Sequence, residues 1–441
     1  MNVNTTRREF LKTAALTGIG VVLTEESWAW PSRSPNERVA FGCIGVGGKG
    51  DSDTADAARL GDVVAICDVD ENTLSSAAAK YPQAKKFTDY RKMLEEMGKS
   101  IDAVTVSTPD HHHAHAASLA MKMGKHCFCQ KPLTHSIWEA RRLGEIAKEK
   151  KLATQMGNQG TAGSSLRQQA ALVRAGALGT VKEVHVWSNR PIWPQGVERP
   201  APAPVPPQLN WDLWLGPAPE RPYAPGYHNF AWRGWWDFGT GALGDMACHQ
   251  VNMPFMALDL RDPVSVVAKT SGHNKDSYPK WSEILFQFPA NKNRPALSMT
   301  WYDGGQLPPR SLFTGGKFID LVIDKVPDSG CLIIGDKNRL YTTGDYGGGG
   351  RWIDGDPTIT VTFPESPGHF EEFIRAIKGG EPAMSNFPNY SGPLTETILL
   401  GNLAVWADGK KIEWDAKKLR PKNAPEVAHI VRGKYRSGYS I

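Results

Sequence analysis

Apolar positions in the first part of the chain fall into short compact runs separated by stretches of helical spacing. Residues 39–46 form one such run, ending in Gly45-Val46-Gly47-Gly48-Lys49-Gly50, after which Ala55, Ala57, Ala58 and Leu60 repeat at helical intervals. Residues 63–67, 101–107 and 125–129 are further runs, and residues 114–123 and 136–150 carry helical patterns, the latter with Glu139, Arg141, Arg142 and Glu145 outward. Strands alternating with helices at this spacing predict an α/β protein with a doubly wound parallel sheet. Ligands of such sheets bind beyond the carboxyl ends of the strands, so residues 45–50, 108–113 and 130–132 should face one.

The pattern breaks between residues 191 and 236, where eleven prolines and the tryptophans Trp193, Trp211, Trp214, Trp232, Trp235 and Trp236 follow neither period. Beyond it, residues 264–271, 281–288 and 296–302 read as successive strands, residues 331–335 and 339–343 as a hairpin, and residues 370–377 and 394–406 as helices. The expected organisation is two domains, one over 36–157 around the parallel sheet and one over 158–441, with helix 394–406 returning to the first domain. Ahead of both, Thr6-Arg7-Arg8-Glu9-Phe10-Leu11-Lys12 and a short apolar run resemble a twin-arginine export signal over residues 1–29. This predicts passage through the twin-arginine machinery as a folded protein and a periplasmic or otherwise extracytoplasmic location, with cleavage and retention as an anchor both open.

With 40% hydrophobic and 22% charged residues, the 441-residue chain has a globular composition. Its net charge of +5 is spread out, which argues against nucleic acid or acidic membranes as partners. Cys43, Cys67, Cys127, Cys129, Cys248 and Cys331 read as buried small hydrophobes rather than disulfides or zinc ligands. His111, His112, His113 and His115 open a helix, where neighbours point different ways, so no metal is expected; His113 is taken as a ribose contact.

The glycine segment fits a dinucleotide. Gly45 serves the tight turn, Gly47 the approach of a pyrophosphate to backbone, and Gly50 the packing of helix on strand, while Gly48 and Lys49 complete the loop. Asp68, eighteen residues after Gly50, is placed to accept from adenosine ribose hydroxyls and to repel a 2′-phosphate. NAD is therefore favoured over NADP, with Lys49 keeping NADP as the alternative. Thr108, Pro109, Asp110, Gln130 and Lys131, at two further strand ends, join His113 as cofactor candidates.

Together with Thr108-Pro109-Asp110, Gln130-Lys131-Pro132 and the run from Gly239 to Asp245 and His249, this turn makes residues 39–415 resemble the Gfo/Idh/MocA family. The resemblance implies an N-terminal Rossmann domain, a C-terminal α/β domain with an open, mostly antiparallel sheet, NAD(P)-linked chemistry on sugars or polyols, and a homo-oligomer. It places the family's Glu-Lys-Pro triplet at Gln130-Lys131-Pro132 and its Asp-x-x-x-His pair at Asp245 and His249. His249 is then the base for a substrate hydroxyl, Lys131 stabilises a developing alkoxide, and Asp245 orients the imidazole or contacts substrate. Gln130 cannot ionise, so any tuning of the lysine by a carboxylate is absent or supplied elsewhere. Tyr227, His228, Trp232 and Arg233, aromatic faces beside donors just before this motif, are candidate sugar contacts.

The expected activity is NAD-dependent oxidation of a secondary hydroxyl of a sugar, glycoside or sugar derivative by an exported enzyme. Free NAD has no evident pool outside the cytoplasm, so the cofactor should be held and recycled in place. A redox-neutral glycoside hydrolase or lyase is the alternative, with His228, Tyr227 or Tyr302 as an added acid or base. A non-catalytic sugar-binding relative is a third reading, against which Lys131, Asp245 and His249 argue.

Overall fold

Six short parallel strands build the first sheet of the protein, for which a computed structural model describes residues 38–316 and 326–441. The export-signal segment lies outside the described residues. β1 (Val39–Ile44) is buried at every position, as its unbroken apolar run requires of a central strand, and leads through the glycine turn into α1 (Lys49–Leu60). β2 (Gly61–Cys67) is followed by α2 (Glu71–Lys80), whose N-cap Asp70 accepts from the backbone N–H groups of Asn72 and Thr73. β3 (Lys85–Phe87), α3 (Tyr90–Met97), β4 (Ala103–Val106), α4 (Asp110–Lys122), β5 (His126–Cys129), α5 (Ile137–Glu149) and β6 (Thr154–Met156) complete the unit. At the start of α5 the Glu139 carboxylate accepts from the backbone N–H groups of His135 and Ser136 at 3.1 and 2.9 Å. The strand order β3-β2-β1-β4-β5-β6 reverses direction between β1 and β4, and that switch opens a crevice at the carboxyl ends.

After α6 (Ser164–Arg174), the second sheet starts with β7 (Val181–Trp187). Chain order then runs through α7 (Trp211–Leu215), α8 (Gly241–Gln250), α9 (Asn252–Leu258), β8 (Ser265–Thr270), β9 (Ser282–Phe288), β10 (Leu297–Tyr302), β11 (Gly330–Gly335), β12 (Arg339–Thr343) and β13 (Gly348–Trp352). With β14 (Ile412–Asp415) and β15 (Arg420–Pro421), nine strands lie in the order β13-β12-β11-β7-β10-β9-β8-β14-β15, and only β7 with β10 is parallel. The fold is thus α/β, a Rossmann sheet plus an open, mostly antiparallel one.

Two late helices return to the first sheet. α10 (His369–Ile377) sets Phe370 and Phe373 against Phe41 and Phe128, with ring centroids 4.9–6.5 Å apart. α11 (Gly392–Trp406) is apolar nearly all round and buried to match; it packs on α5, α8, β8 and β9, and Glu396 takes Arg141 of α5 at 2.5 and 2.8 Å. Residues 38–441 therefore form one compact unit. All six cysteines are buried and free.

The arm between residues 191 and 236 contains only α7 and a single 3₁₀ turn at Ala231–Gly234. Most of its aromatic residues make a core of their own: Trp211 stacks on Trp214 at 4.8 Å, and Trp214, Tyr227 and Trp235 close around Phe238. The arm is stitched to the turn after β2, where Glu71 donates to the Gln208 carbonyl and Asn210 to the Val69 carbonyl, both at 2.9 Å.

Candidate active site

A cleft of about 620 Å³ follows the carboxyl ends of the Rossmann strands from the glycine turn to α8. Of the site residues proposed from the sequence, all line it except Gly50, His113, Tyr227 and Tyr302. Gly45 has φ +75° and passes so close to β4 that a Cβ would lie 2.7 Å from the Ser107 carbonyl oxygen; one at Gly50 would meet the Gly45 oxygen at 2.0 Å. A side chain at either place would close the turn. Gly47, Gly48 and Lys49 face the cleft at the start of α1, where backbone N–H groups and the helix dipole favour a phosphate.

Asp68 accepts from Val46 N–H and Asp70 N–H, each at 3.0 Å, and burial raises its carboxyl above the usual range. Lys49, the residue that kept NADP open, is neutralised inside the chain: its Nζ lies 2.5 Å from Asp53 and 2.8 Å from Ser52 Oγ. The hydroxyl of Thr108 is buried on the cleft without a hydrogen-bond partner among the described residues. A tight glycine turn, an acceptor at the end of β2 and an orphaned hydroxyl at the end of β4 fit a dinucleotide without a 2′-phosphate.

At the other end of the cleft, Lys131 Nζ donates to Asp245 Oδ1 at 2.6 Å and to the Asp245 carbonyl at 3.0 Å. Arg233 Nε reaches the same carboxylate oxygen at 3.3 Å while its guanidinium lies 4.2 Å over the Trp232 ring. Burial alone would raise the Asp245 carboxyl, but Lys131 and Arg233 outweigh it and hold it below the usual range. His249, one turn further along α8, does not meet Asp245. Its Nδ1 is 2.7 Å from Asn158 Oδ1, and Asn158 Nδ2 donates to the Cys248 carbonyl at 2.6 Å. The carbonyl fixes the amide orientation, so Oδ1 must accept from an Nδ1 proton and the lone pair belongs to Nε2. Burial, reinforced by Lys131, pushes His249 down to about 3, so it is a neutral imidazole at any ordinary pH.

Several expectations need correction. His113 is buried off the cleft, its ring nitrogens facing the carbonyls of Pro132 (2.7 Å) and Thr108 (2.8 Å), so it ties α4 to the Lys131 loop instead of holding a ribose. Tyr227 belongs wholly to the aromatic core of the arm, and Tyr302 is buried against His185 at 3.0 Å, so neither reaches substrate. His228 lies in the cleft but at its adenosine end, 2.9 Å from the Asp70 cap. Asp110 borders the cleft with its carboxylate committed to Thr240 Oγ1 at 2.6 Å. Gln130 turns its amide to Asp53 at 2.8 Å. Asp245 does not orient the imidazole; Asn158 does.

The sequence reading missed Asn158, Asp53 and Tyr346. Asn158 follows β6, another strand of the parallel sheet, so the strand-end rule that located Thr108 and Lys131 reaches it once that three-residue strand is recognised. Tyr346, on the glycine-rich connection between β12 and β13, sits edge-on to His249 with ring centroids 4.8 Å apart. Its position depends on the second sheet, and no local pattern announces it. Phe230 and Ile192, 48% and 63% exposed, rim the same end of the cleft.

A dinucleotide crevice that runs into a lysine, carboxylate and histidine cluster is the frame of an NAD-binding Rossmann protein with a polar site beside its cofactor cleft. Residues 39–158 match the oxidoreductase family's NAD-binding Rossmann fold and residues 164–292 its C-terminal alpha/beta domain, so the chain belongs to the Gfo/Idh/MocA family. It is 34% identical over 164 residues to a glycosyl hydrolase family 109 protein of Solibacter usitatus, covering 33% of this chain and 37% of that one. With levoglucosan dehydrogenase of Pseudarthrobacter phenanthrenivorans it shares 23% over 193 residues, covering 43% and 40%. The chain thus matches less than half the length of either relative. Among solved structures, the WlbA dehydrogenase of Bordetella pertussis in complex with NADH and UDP-GlcNAcA superposes with a TM-score of 0.61 at 16% identity, over 86% of this chain and 99% of that one.

Proposed function

We propose that the protein oxidises a secondary hydroxyl of a sugar, glycoside or sugar derivative with NAD that stays bound and is recycled in place. The observation that carries this reading is the pairing of a neutral His249, its Nε2 lone pair free of any described partner, with a Lys131 ammonium held by Asp245. An alcohol placed between them gives its proton to Nε2 as the lysine donates to the oxygen and stabilises the growing negative charge. Asp245 fixes the lysine, and Asn158 fixes the tautomer that can accept. A nicotinamide held in this cleft would supply the acceptor for the carbinol hydride and the means of its return. Trp193, Trp232 and Phe230 line this end beside Arg233, an aromatic and charged wall that suits a pyranose.

Retention of NAD is supported by the arm, which is bonded through Val69 and Glu71 to the turn after β2 and places His228 in the cleft beside Asp70. It also suits an enzyme exported in folded form through the twin-arginine machinery to an extracytoplasmic site, the location we propose on the Arg7-Arg8 signal. Assembly as a homo-oligomer is part of the same proposal, on the family resemblance.

Tyr346 favours one second reading. A ring hydroxyl once oxidised makes the neighbouring C–H acidic; loss of that proton would expel the glycosidic oxygen, protonated by a phenol beside His249, and addition of water followed by return of the hydride would complete a redox-neutral hydrolysis. The test is to denature the purified protein and assay released NAD(H), then to incubate native protein with neutral glycosides without added acceptor. A keto-sugar with NADH accumulating on the enzyme supports oxidation, and free aglycone with no net redox change supports cleavage. Protein that neither carries nor binds NAD(H) sinks both.

A further inference from the structure

We infer that Asp53 is the positioning residue that locks the glycine turn, the end of β4 and the Gln130-Lys131 loop into one unit, supplying from α1 the carboxylate that residue 130 lacks. Asp53 stands on the first turns of α1 with its side chain 2% exposed. Three donors converge on it from the three segments that border the cofactor cleft. Lys49 Nζ meets Oδ1 at 2.5 Å, and Ser107 Oγ and Gln130 Nε2 meet Oδ2 at 2.7 and 2.8 Å. An ionised carboxylate only accepts, so each of the three groups must donate, and that sets their orientations.

For Gln130 the orientation has a consequence. With Nε2 given to Asp53, Oε1 is left facing Lys131 N–H at 3.3 Å, which pins the backbone of the residue whose ammonium reaches Asp245. The amide packs directly against Gly157, where a Cβ would lie 2.4–2.8 Å from all three of its terminal atoms, so any side chain at 157 would displace it. A glutamate at position 130 would set two carboxylates against each other in a buried space where both cannot stay ionised. Amide and acid are therefore a matched pair: one charge serves the site, carried by residue 53.

The inference rests on the reading of the cleft as an NAD site, and the test separates the two. NAD dissociation constants and apo-protein melting temperatures are compared for wild type, Asp53→Asn, Gln130→Glu and the exchanged double variant Asp53→Asn/Gln130→Glu. Each single variant should weaken NAD binding about tenfold or more, because each leaves a buried polar group opposed or unpaired. The double variant, which rebuilds an amide–carboxylate pair with its polarity reversed, should return to within about threefold of wild type. Additive losses in the double variant overturn the inference. So does a fall in apo-protein melting temperature with unchanged NAD affinity, which would make the network merely structural. A wild-type protein that binds no NAD defeats the functional reading itself and not the coupling, which melting temperatures of the same four proteins still test.

Discussion

His249 depends on two residues for what it can do. Asn158 supplies the tautomer, and replacing it by Ala leaves the ring free to present either nitrogen; turnover should fall about tenfold to a hundredfold while NAD binding is kept. Loss of NAD binding in that variant would mean Asn158 holds the fold of the cleft and not the imidazole. Lys131 and burial set the proton equilibrium. Since protonation disables the base and the imidazole sits at about 3, kcat/KM should hold steady as pH falls from 8 to 5 instead of dropping through the ordinary histidine value near 6.5. A pH–rate profile with an acid limb at 6–7 contradicts this assignment. Lys131, Asp245 and His249 were legible because their spacing resembles a family pattern. The partners Asn158 and Asp53 were not, because what selects them is a distance across the fold: His249 and Asn158 are 91 residues apart, and Gln130 and Asp53 are 77.

At the level of elements, hydrophobic runs located the central strands well, since β1, β4 and β5 are buried almost throughout and are mostly apolar, with Thr105 and His126 as the exceptions. They could not reveal β3, whose three residues are Lys85, Lys86 and Phe87 on the edge of the sheet, or β6, equally short. The arm was visible as a composition but not as a structure. Its prolines and tryptophans suggested a binding surface, whereas most of the rings bury each other and only some, such as Trp193 and Trp232, face the cleft. In the proposed reading the arm contributes closure. If His228 helps hold it over the adenosine end, His228→Ala should speed NAD loss about tenfold, read as cofactor remaining after repeated gel filtration, while Asp70 continues to cap α2 and the melting temperature changes little. Undiminished retention would place the closure in the backbone bonds of Gln208 and Asn210 alone.

Across the whole molecule, the buried histidines are a charge problem for the fold. His111 and His112 reach the Trp214 carbonyl at 3.0 and 2.9 Å, which binds the arm to α4, and His369 reaches the Met156 carbonyl at 3.1 Å, which binds α10 to β6. Burial holds His111 well below its ordinary value and puts His112 and His369 at about 4, with His249 at about 3. Each is neutral in the folded protein at pH values where the unfolded chain takes up a proton. A folded value below the unfolded one means that stability is complete above about pH 6.5 and drains as pH falls, at about 1.4 kcal/mol per pH unit for each such group. Buried carboxyls pushed upward act in the opposite sense, Asp303 at about 6 among them. They blunt the slope without reversing it, because among the described residues nine histidines are held down against five such carboxyls. Calorimetric melting temperatures should therefore be nearly constant from pH 8 to 7 and fall steeply between 6.5 and 4.5. Replacing His112 by Gln, which keeps a donor toward the Trp214 carbonyl but cannot ionise, should flatten that fall by about one proton's share. An unchanged slope in that variant, or a wild-type melting temperature indifferent to acid, would mean these imidazoles are not held neutral by the fold.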